Sequence, residues 1–504
     1  MRINYGKGVG MISFILGIVA LVLGYVVYGK IVEKVFVINP NAPTPAIRLR
    51  DGIDYIAMPS WKTTLIQLLN IAGTGPIFGA IAGALFGPAA FAWIVFGCIF
   101  AGAVHDYMIG MLSVRNNGTN ISEIVGRYLG KAPLYIMRVF SVVLLIFVGV
   151  VFVTTPAQVL RTMFAPNNPT FYYFVIAAII IYYILATLLP IDKIIGKIYP
   201  VFGACLMIMA VGMTIMMFVT GDIRTIPEFS FQNLRPDKST NIMGHIFPFL
   251  FITIACGAIS GFHATQAPLM ARCLSNEKEG RMVFYGSMIL EGIIAMIWAA
   301  VTMAHFNVVG TESAVAAPVI VTRSSLDYMG WIGGILAVFG VVACPITSGD
   351  TAFRSARLTI ADAFKFDQKP MKNRLMVAVP LFAIGIGLVL FALSSAGNFN
   401  IIWRYFSWSN QTLATIALWA ASAYLAKAGK SYWCTLIPSV FMTIVVTSYF
   451  LSANECMGPF ITGITGNIYT TYTIAIVVGS ALAVGLLASF IPLVGIRQKG
   501  LVTE

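Results

Sequence analysis

The sequence predicts an all-α, polytopic membrane protein of about 13 transmembrane helices, ten of them forming two inverted five-helix repeats with broken helices. Three observations predict it. First, 59% of the 504 residues are hydrophobic, only 10% are charged and the mean hydropathy is +0.87, more apolar surface than one soluble core of this length can hold. Second, runs of roughly 20 apolar residues, the length that spans a bilayer as a helix, recur along the whole chain. Third, two of these runs are broken by glycines 184 residues apart, at Asn70-Ile-Ala-Gly73-Thr74-Gly75-Pro76 and at Ala255-Cys256-Gly257-Ala-Ile-Ser260-Gly261. Interruptions at corresponding places in two halves point to a transporter with its substrate site near the bilayer midplane.

Taken in order, the spans begin near residues 9, 63, 88, 134, 170, 196, 244, 282, 331, 374, 403, 433 and 469. Span 1 lacks an A-x-A cleavage site after its apolar run, so it is expected to be a retained helix and not a removable signal. Span 2 carries the first break and opens a five-span unit; span 7 carries the second break and opens another. The chain then divides into residues 1–61 (an extra N-terminal helix and its connection), 62–220 (core repeat 1), 244–425 (core repeat 2) and 432–504 (two C-terminal helices). Five is an odd number, so the second unit enters the membrane from the opposite face to the first, as inverted repeats do.

The charges support this parity. When the connections are assigned alternately, one face collects 23 Lys/Arg and the other 8, with Arg138 inside a span. The densest loop runs from Arg354 to Arg374. A wrong span count would scramble the later loops, so the asymmetry supports both the count and an orientation with the N-terminus outside and the C-terminus in the cytoplasm. The formal net charge of +13 reads as membrane-orientation charge and not as a nucleic-acid surface, because the basic residues avoid any aromatic-rich stripe. Seven scattered cysteines form no CxxC or Cys/His spacing and imply neither a disulfide framework nor zinc. No H-E-x-x-H, G-x-S-x-G or P-loop is present, and no soluble stretch is long enough for a nucleotide domain.

The candidate site residues cluster around the breaks. Gly73 and Gly75 tolerate positive φ and Pro76 suits the first turn of a new helix, so one half-helix can stop and another start, with Thr74 between them. The freed carbonyls suit a cation and the new amide end suits a carboxylate. At the second break Gly257 and Gly261 flank Ser260, a candidate N-cap for the half-helix carrying His263 and Gln266. His105 and Asp106 in span 3, Glu291 in span 8, and Asp350 with Arg354 and Arg357 in span 9 are ionisable groups that need partners in a membrane. Thr347 and Ser348 offer hydroxyls to a sodium ion or to their own helix. Asn410 and Gln411 in span 11 either join helices or line a polar cavity.

These blocks carry a family resemblance. Gly73-Thr-Gly-Pro, Phe100-Ala-Gly-Ala-Val-His-Asp106, Cys256-Gly-Ala-Ile-Ser-Gly-Phe-His263, Thr347-Ser-Gly-Asp350 and Asn410-Gln411 resemble, in order, the carbon starvation protein A (CstA) family. The resemblance implies an inner-membrane secondary transporter with a LeuT-like fold, importing short peptides or, in some members, pyruvate or another small carboxylate. Protons are the expected coupling ion and sodium the alternative. It places the substrate between spans 2 and 7, with membrane lipid around the protein and no cofactor, resident metal or nucleic acid; oligomeric state stays open. By position the family pattern falls on Gly73, Gly75, Gly257, Ser260, Gly261, His263, Asp350 and Asn410. The chain departs from it at Thr265-Gln266-Ala-Pro268, where relatives carry Ser-Ser-Gly, and at His105, where glutamine is common. The rival classes are an intramembrane enzyme built on His105, Asp106 and His263, and a channel.

Overall fold

Inside a bilayer the peptide groups find no water, so long apolar segments close their hydrogen bonds within helices. The computed structural model describes residues 11–52, 55–188, 192–239, 241–309, 315–368 and 370–495. Among these, strand-like pairing is limited to one isolated bridge between Met58 and Leu274. Ten helices have the length and composition of membrane crossings: Met11–Phe36, Ala89–Arg115, Lys131–Phe164, Pro169–Thr187, Val201–Thr220, Glu277–Phe306, Ala317–Phe364, Met371–Ser394, Trp433–Ser452 and Ile468–Pro492. Ser60–Ile71 and Gly75–Phe86, bent by 53° at the first break, form an eleventh. The two remaining spans are present in less regular form. Span 7 consists of Phe249–Thr253 and Gly261–Ala271 with residues 254–260 non-helical between them, and span 11 is the single helix Ala396–Lys427, interrupted in hydropathy by Ser407, Ser409, Asn410 and Gln411.

Two features were not anticipated. The helix of span 9 starts at Ala317, not near 331, and turns at Gly330, whose φ of 58° is open to glycine and strained for other residues. An amphipathic helix, Ile121–Leu129, buries Ile121, Ile124 and Val125 between spans 3 and 4. Its Glu123 accepts a 2.5 Å bond from Arg138, so the one basic residue expected within a span is paired.

Spans 2 and 7 meet at their breaks. A Cβ on Gly75 would collide with the Cys256 side chain, and one on Gly79 would lie 3.1 Å from the Thr253 carbonyl. Span 3 lies along the second break: its π-helical turn Cys98–Gly102 brings Gly102 against the Ala258 carbonyl. Span 8 closes the other side, with Ala295 Cβ 2.5 Å from where a Cβ on Gly257 would be. Span 1 packs on spans 3 and 8, with Gly24 on Ile99 and Gly17 on Met296.

Candidate functional site

The second break is held by span 11. Asn410 Oδ1 accepts from the Phe262 amide at 2.7 Å and from Ser260 Oγ at 3.1 Å, while Asn410 Nδ2 donates to Cys256 Sγ at 3.3 Å. Ser260 occupies the N-cap position of Gly261–Ala271 but makes no capping bond of its own, so the cap comes from Asn410, 150 residues away. The neighbouring Gln411 serves the other half: its Nε2 donates to the Phe251 carbonyl and lies 3.5 Å from that of Ile254, which also accepts from Trp93 Nε1 at 3.0 Å. Gly261 is required here by close approach, since a Cβ would strike the backbone of Asn410 and Ala414.

His263 points from the second half-helix into a buried chain of ionisable groups. His105 Nδ1 and Asp106 Oδ1 are 2.8 Å apart, Asp106 Oδ2 and His263 Nδ1 are 2.8 Å apart, and His263 Nε2 approaches Glu291 Oε2 to 3.2 Å. That last contact is not aligned as a hydrogen bond, and both Glu291 oxygens lack an aligned donor. All four residues are at most 1% exposed and come from spans 3, 7 and 8. Two carboxylates face two imidazoles, so the charge of the group follows its protonation: beyond the one N–H of each neutral imidazole, two protons make it neutral and one leaves a single negative charge. Cys256 Sγ, His263 and Glu291 also place ligand atoms within 4.8 Å of one another, a spacing able to hold a transition ion.

At the first break the chain turns at Ala72 (φ −82°, ψ 60°), and neither Gly73 nor Gly75 has positive φ. The positive-φ role expected for them is therefore corrected to close packing: Gly73 lies against the Phe152 ring and Gly75 against Cys256. The carbonyls expected to be free are also engaged. Ser348 Oγ donates to Leu69 O at 3.2 Å, and Cys344 Sγ lies 3.6 and 3.5 Å from the carbonyls of Leu69 and Ala72. Thr347 Oγ1 donates back to its own helix at Cys344 O, 2.8 Å away. Thr74 Oγ1 and the Gln67 amide are buried without a partner among the described residues.

Other predicted residues lie elsewhere. The Asp350 carboxylate accepts from Tyr182 on span 5 at 2.5 Å. Gln266 Nε2 donates to Thr265 Oγ1 at 3.0 Å, and Thr351 Oγ1 donates to Gln266 Oε1 at 3.5 Å, so the departing segment links span 7 to span 9. A cavity of about 970 Å³ opens among spans 2, 4, 7 and 11; Phe78, Thr253, Trp403 and Ser407 line it, and none of the four ionisable residues does.

The sequence blocks that build this site carry a family assignment. A family model described as Carbon starvation protein CstA matches residues 9–180, 170–328 and 313–449, which include both breaks and the whole ionisable chain. The chain belongs to the CstA carbon starvation family. This CstA-family chain is 45% identical over 344 residues to an uncharacterized membrane protein of Haemophilus influenzae, across 60% of this chain and 93% of that one. It is 26% identical over 538 residues to the peptide transporter CstA of Bacillus subtilis (87% and 90% covered). It is 24% identical over 556 residues to the pyruvate/proton symporter BtsT of Escherichia coli (83% and 78% covered). Among solved structures, MhsT in complex with L-phenylalanine aligns with a TM-score of 0.54 at 12% identity, across 82% of this chain and 99% of that one, and the likeness shows a LeuT-like fold. Two members of the CstA site had no role in the sequence reading. The sequence marks Glu291 only as an ionisable residue in span 8, and Cys256 only as part of the second break and of the family block, with no ligand role; the cost of an intramembrane carboxylate is the signal that Glu291 needs a partner.

Proposed function

We propose that this CstA-family protein is a secondary active transporter importing a small carboxylate-bearing solute, a short peptide or alternatively pyruvate, driven by protons. The names of its relatives, peptide transporter and pyruvate/proton symporter, support the substrate classes and the coupling ion. The observation that carries the reading is the buried His105, Asp106, His263, Glu291 chain set against the break of span 7. An unbalanced charge in the membrane interior costs on the order of 2.5–3.5 kcal/mol. Protonation at Glu291 or His263 therefore alters how this break packs, and rocking of the helices around it couples the proton to alternating access.

Proton coupling fits better than sodium. The place where sodium would use Ser348 and the carbonyls of the first half-helix also holds Cys344 Sγ, a soft group poorly matched to that ion. The solute's carboxylate is assigned to the first break, where Thr74 Oγ1 lacks a partner and the amide end of Gly75–Gly83 begins. Asn410 already fills the corresponding position at the second break. Gly257, Ser260 and Gly261 then shape the break, and His263 and Asp106 serve the proton.

The test is uptake of labelled alanylalanine and of labelled pyruvate into proteoliposomes, each under an imposed pH gradient and an imposed sodium gradient. Uptake of one solute that follows the pH gradient is expected. Response to neither gradient for either solute would defeat the reading, as would turnover of a solute in detergent without a vesicle. Stoichiometric transition metal in the purified protein would reassign Cys256, His263 and Glu291 to a metal.

A further inference from the structure

The cavity contains charge that the coupling chain does not use. Its charged lining residues, among those described, are Arg161, Arg235, Asp237 and Arg404. Arg235 is held by Asp237 at 2.8 Å (Nε to Oδ1) and 2.5 Å (Nη2 to Oδ2), and Arg404 by Glu455 at 3.2 Å. The Asp237 carboxyl is pushed up by burial, but the bonds and charge of Arg235 and the Asn241 amide outweigh this and hold it below the usual carboxylate range, so the pair stays ionised. Among the described residues, no carboxylate pairs with Arg161. Its guanidinium lies 5.5 Å from the centroid of the Tyr172 ring, near the cavity end of span 4.

Two hydroxyls in the same lining are buried: Tyr172 Oη, on a residue 7% exposed, which faces the Gln158 side chain, and Ser407 Oγ, on a residue 2% exposed, which has no aligned partner among the described residues. Arg161 is half-buried in the last turn of span 4, where a guanidinium partly withdrawn from water gains from an anionic partner. Its planar fork matches a carboxylate in a bidentate geometry that a lysine cannot reproduce. Phe78 and Trp403, whose ring centroids are 6.0 Å apart, line the same cavity as Arg161. Phe78 is three residues past Gly75, so the cavity leads toward the first break.

We propose that Arg161, with the Tyr172 hydroxyl beside it, is a docking site that holds the carboxylate of the incoming solute before it passes Phe78 and Trp403 to the breaks. The inference rests on the transporter reading above and gives it a carboxylate-selective first step. A dipeptide C-terminus and a keto acid share this chemistry, and both are used as probes.

The test measures equilibrium binding of labelled pyruvate and labelled alanylalanine to the detergent-purified full chain, and uptake of both by the same proteins in proteoliposomes. Arg161→Gln is expected to weaken binding and raise KM for the transported solute about tenfold or more, with the maximal rate within about twofold. Arg161→Lys keeps the charge but not the fork, and is expected to lose about threefold. C-terminally amidated alanylalanine should compete poorly and equally with wild type and Arg161→Gln. An unchanged KM in Arg161→Gln overturns the inference and leaves the transporter reading standing, as does equal weakening of the amidated peptide. A wild type that takes up neither solute overturns the transporter reading and the inference together. Should Arg161→Gln fail to fold, as read by its thermal unfolding midpoint, Arg161→Lys and Tyr172→Phe carry the test; unchanged KM in both overturns the inference.

Discussion

Glu291 and His263 are the residues on which coupling depends. Both are fully buried, and the number of protons they carry sets the charge of a group the membrane does not solvate. Glu291→Gln fixes that position as neutral. It is expected to lower pH-gradient-driven uptake about tenfold or more while solute exchange without a gradient survives, as counterflow in proteoliposomes would show. Loss of both activities to the same extent would assign Glu291 a structural role. His263→Gln should abolish both, because it also separates Asp106 from Glu291. His105 lies at the end of the chain and touches neither His263 nor Glu291, so His105→Gln should retain most uptake; an effect as large as that of Glu291→Gln would extend the proton path to His105. His105, Asp106 and His263 were legible in the sequence as costly residues in apolar runs. Their pairing was not, because Asp106 and His263 are 157 positions apart and no pattern in one chain reports a contact at that separation.

At the scale of elements, the breaks were legible from their glycines, but the function of those glycines was not. A sequence shows that glycine permits unusual dihedrals, whereas the structure shows Gly75 and Gly261 permitting contact between neighbouring segments. Gly261→Ala sets a methyl against backbone that cannot yield, and is expected to cost about 1–3 kcal/mol or more, read as a lower thermal unfolding midpoint. Asn410→Ala removes the cap on Phe262 N and should cost about 0.5–2 kcal/mol; an unchanged midpoint would mean that water replaces the cap. A second element-level device closes the face opposite the cavity. Arg115 at the end of span 3 binds both Glu277 oxygens at 3.1 and 3.0 Å, donates to Tyr424 Oη at 2.8 Å and to the Val37 carbonyl at 2.7 Å, and sits 4.1 Å over the Phe36 ring. These bonds tie together the ends of spans 1, 3, 8 and 11. Arg115→Ala should loosen that face and shift the population away from the cavity-open arrangement, read as slower thiol labelling of an Asn400→Cys reporter in the cavity. Unchanged or faster labelling would show that the Arg115 cluster is not a latch.

Across the whole molecule, the fold was legible because bilayer thickness fixes span length and charge asymmetry checks the count. The kink at Gly330 was not, because a glycine within an apolar run reads equally as close packing, and the helix Ile121–Leu129 was not, because its nine amphipathic residues are too short to stand out as a span. Sidedness remains a proposal with its own check: a fluorescent reporter fused after Glu504 should fluoresce, as it does in the cytoplasm, and a silent, exported reporter would invert the orientation and make the cavity face the cell interior. The central claim is that solute and proton move together through the buried chain. Its most direct test is internal pH, followed with a trapped dye in proteoliposomes when alanylalanine or pyruvate is added outside without any imposed gradient. The account predicts internal acidification on addition of the transported solute to wild type and none with Glu291→Gln. Solute uptake by wild type with no accompanying pH change would contradict it.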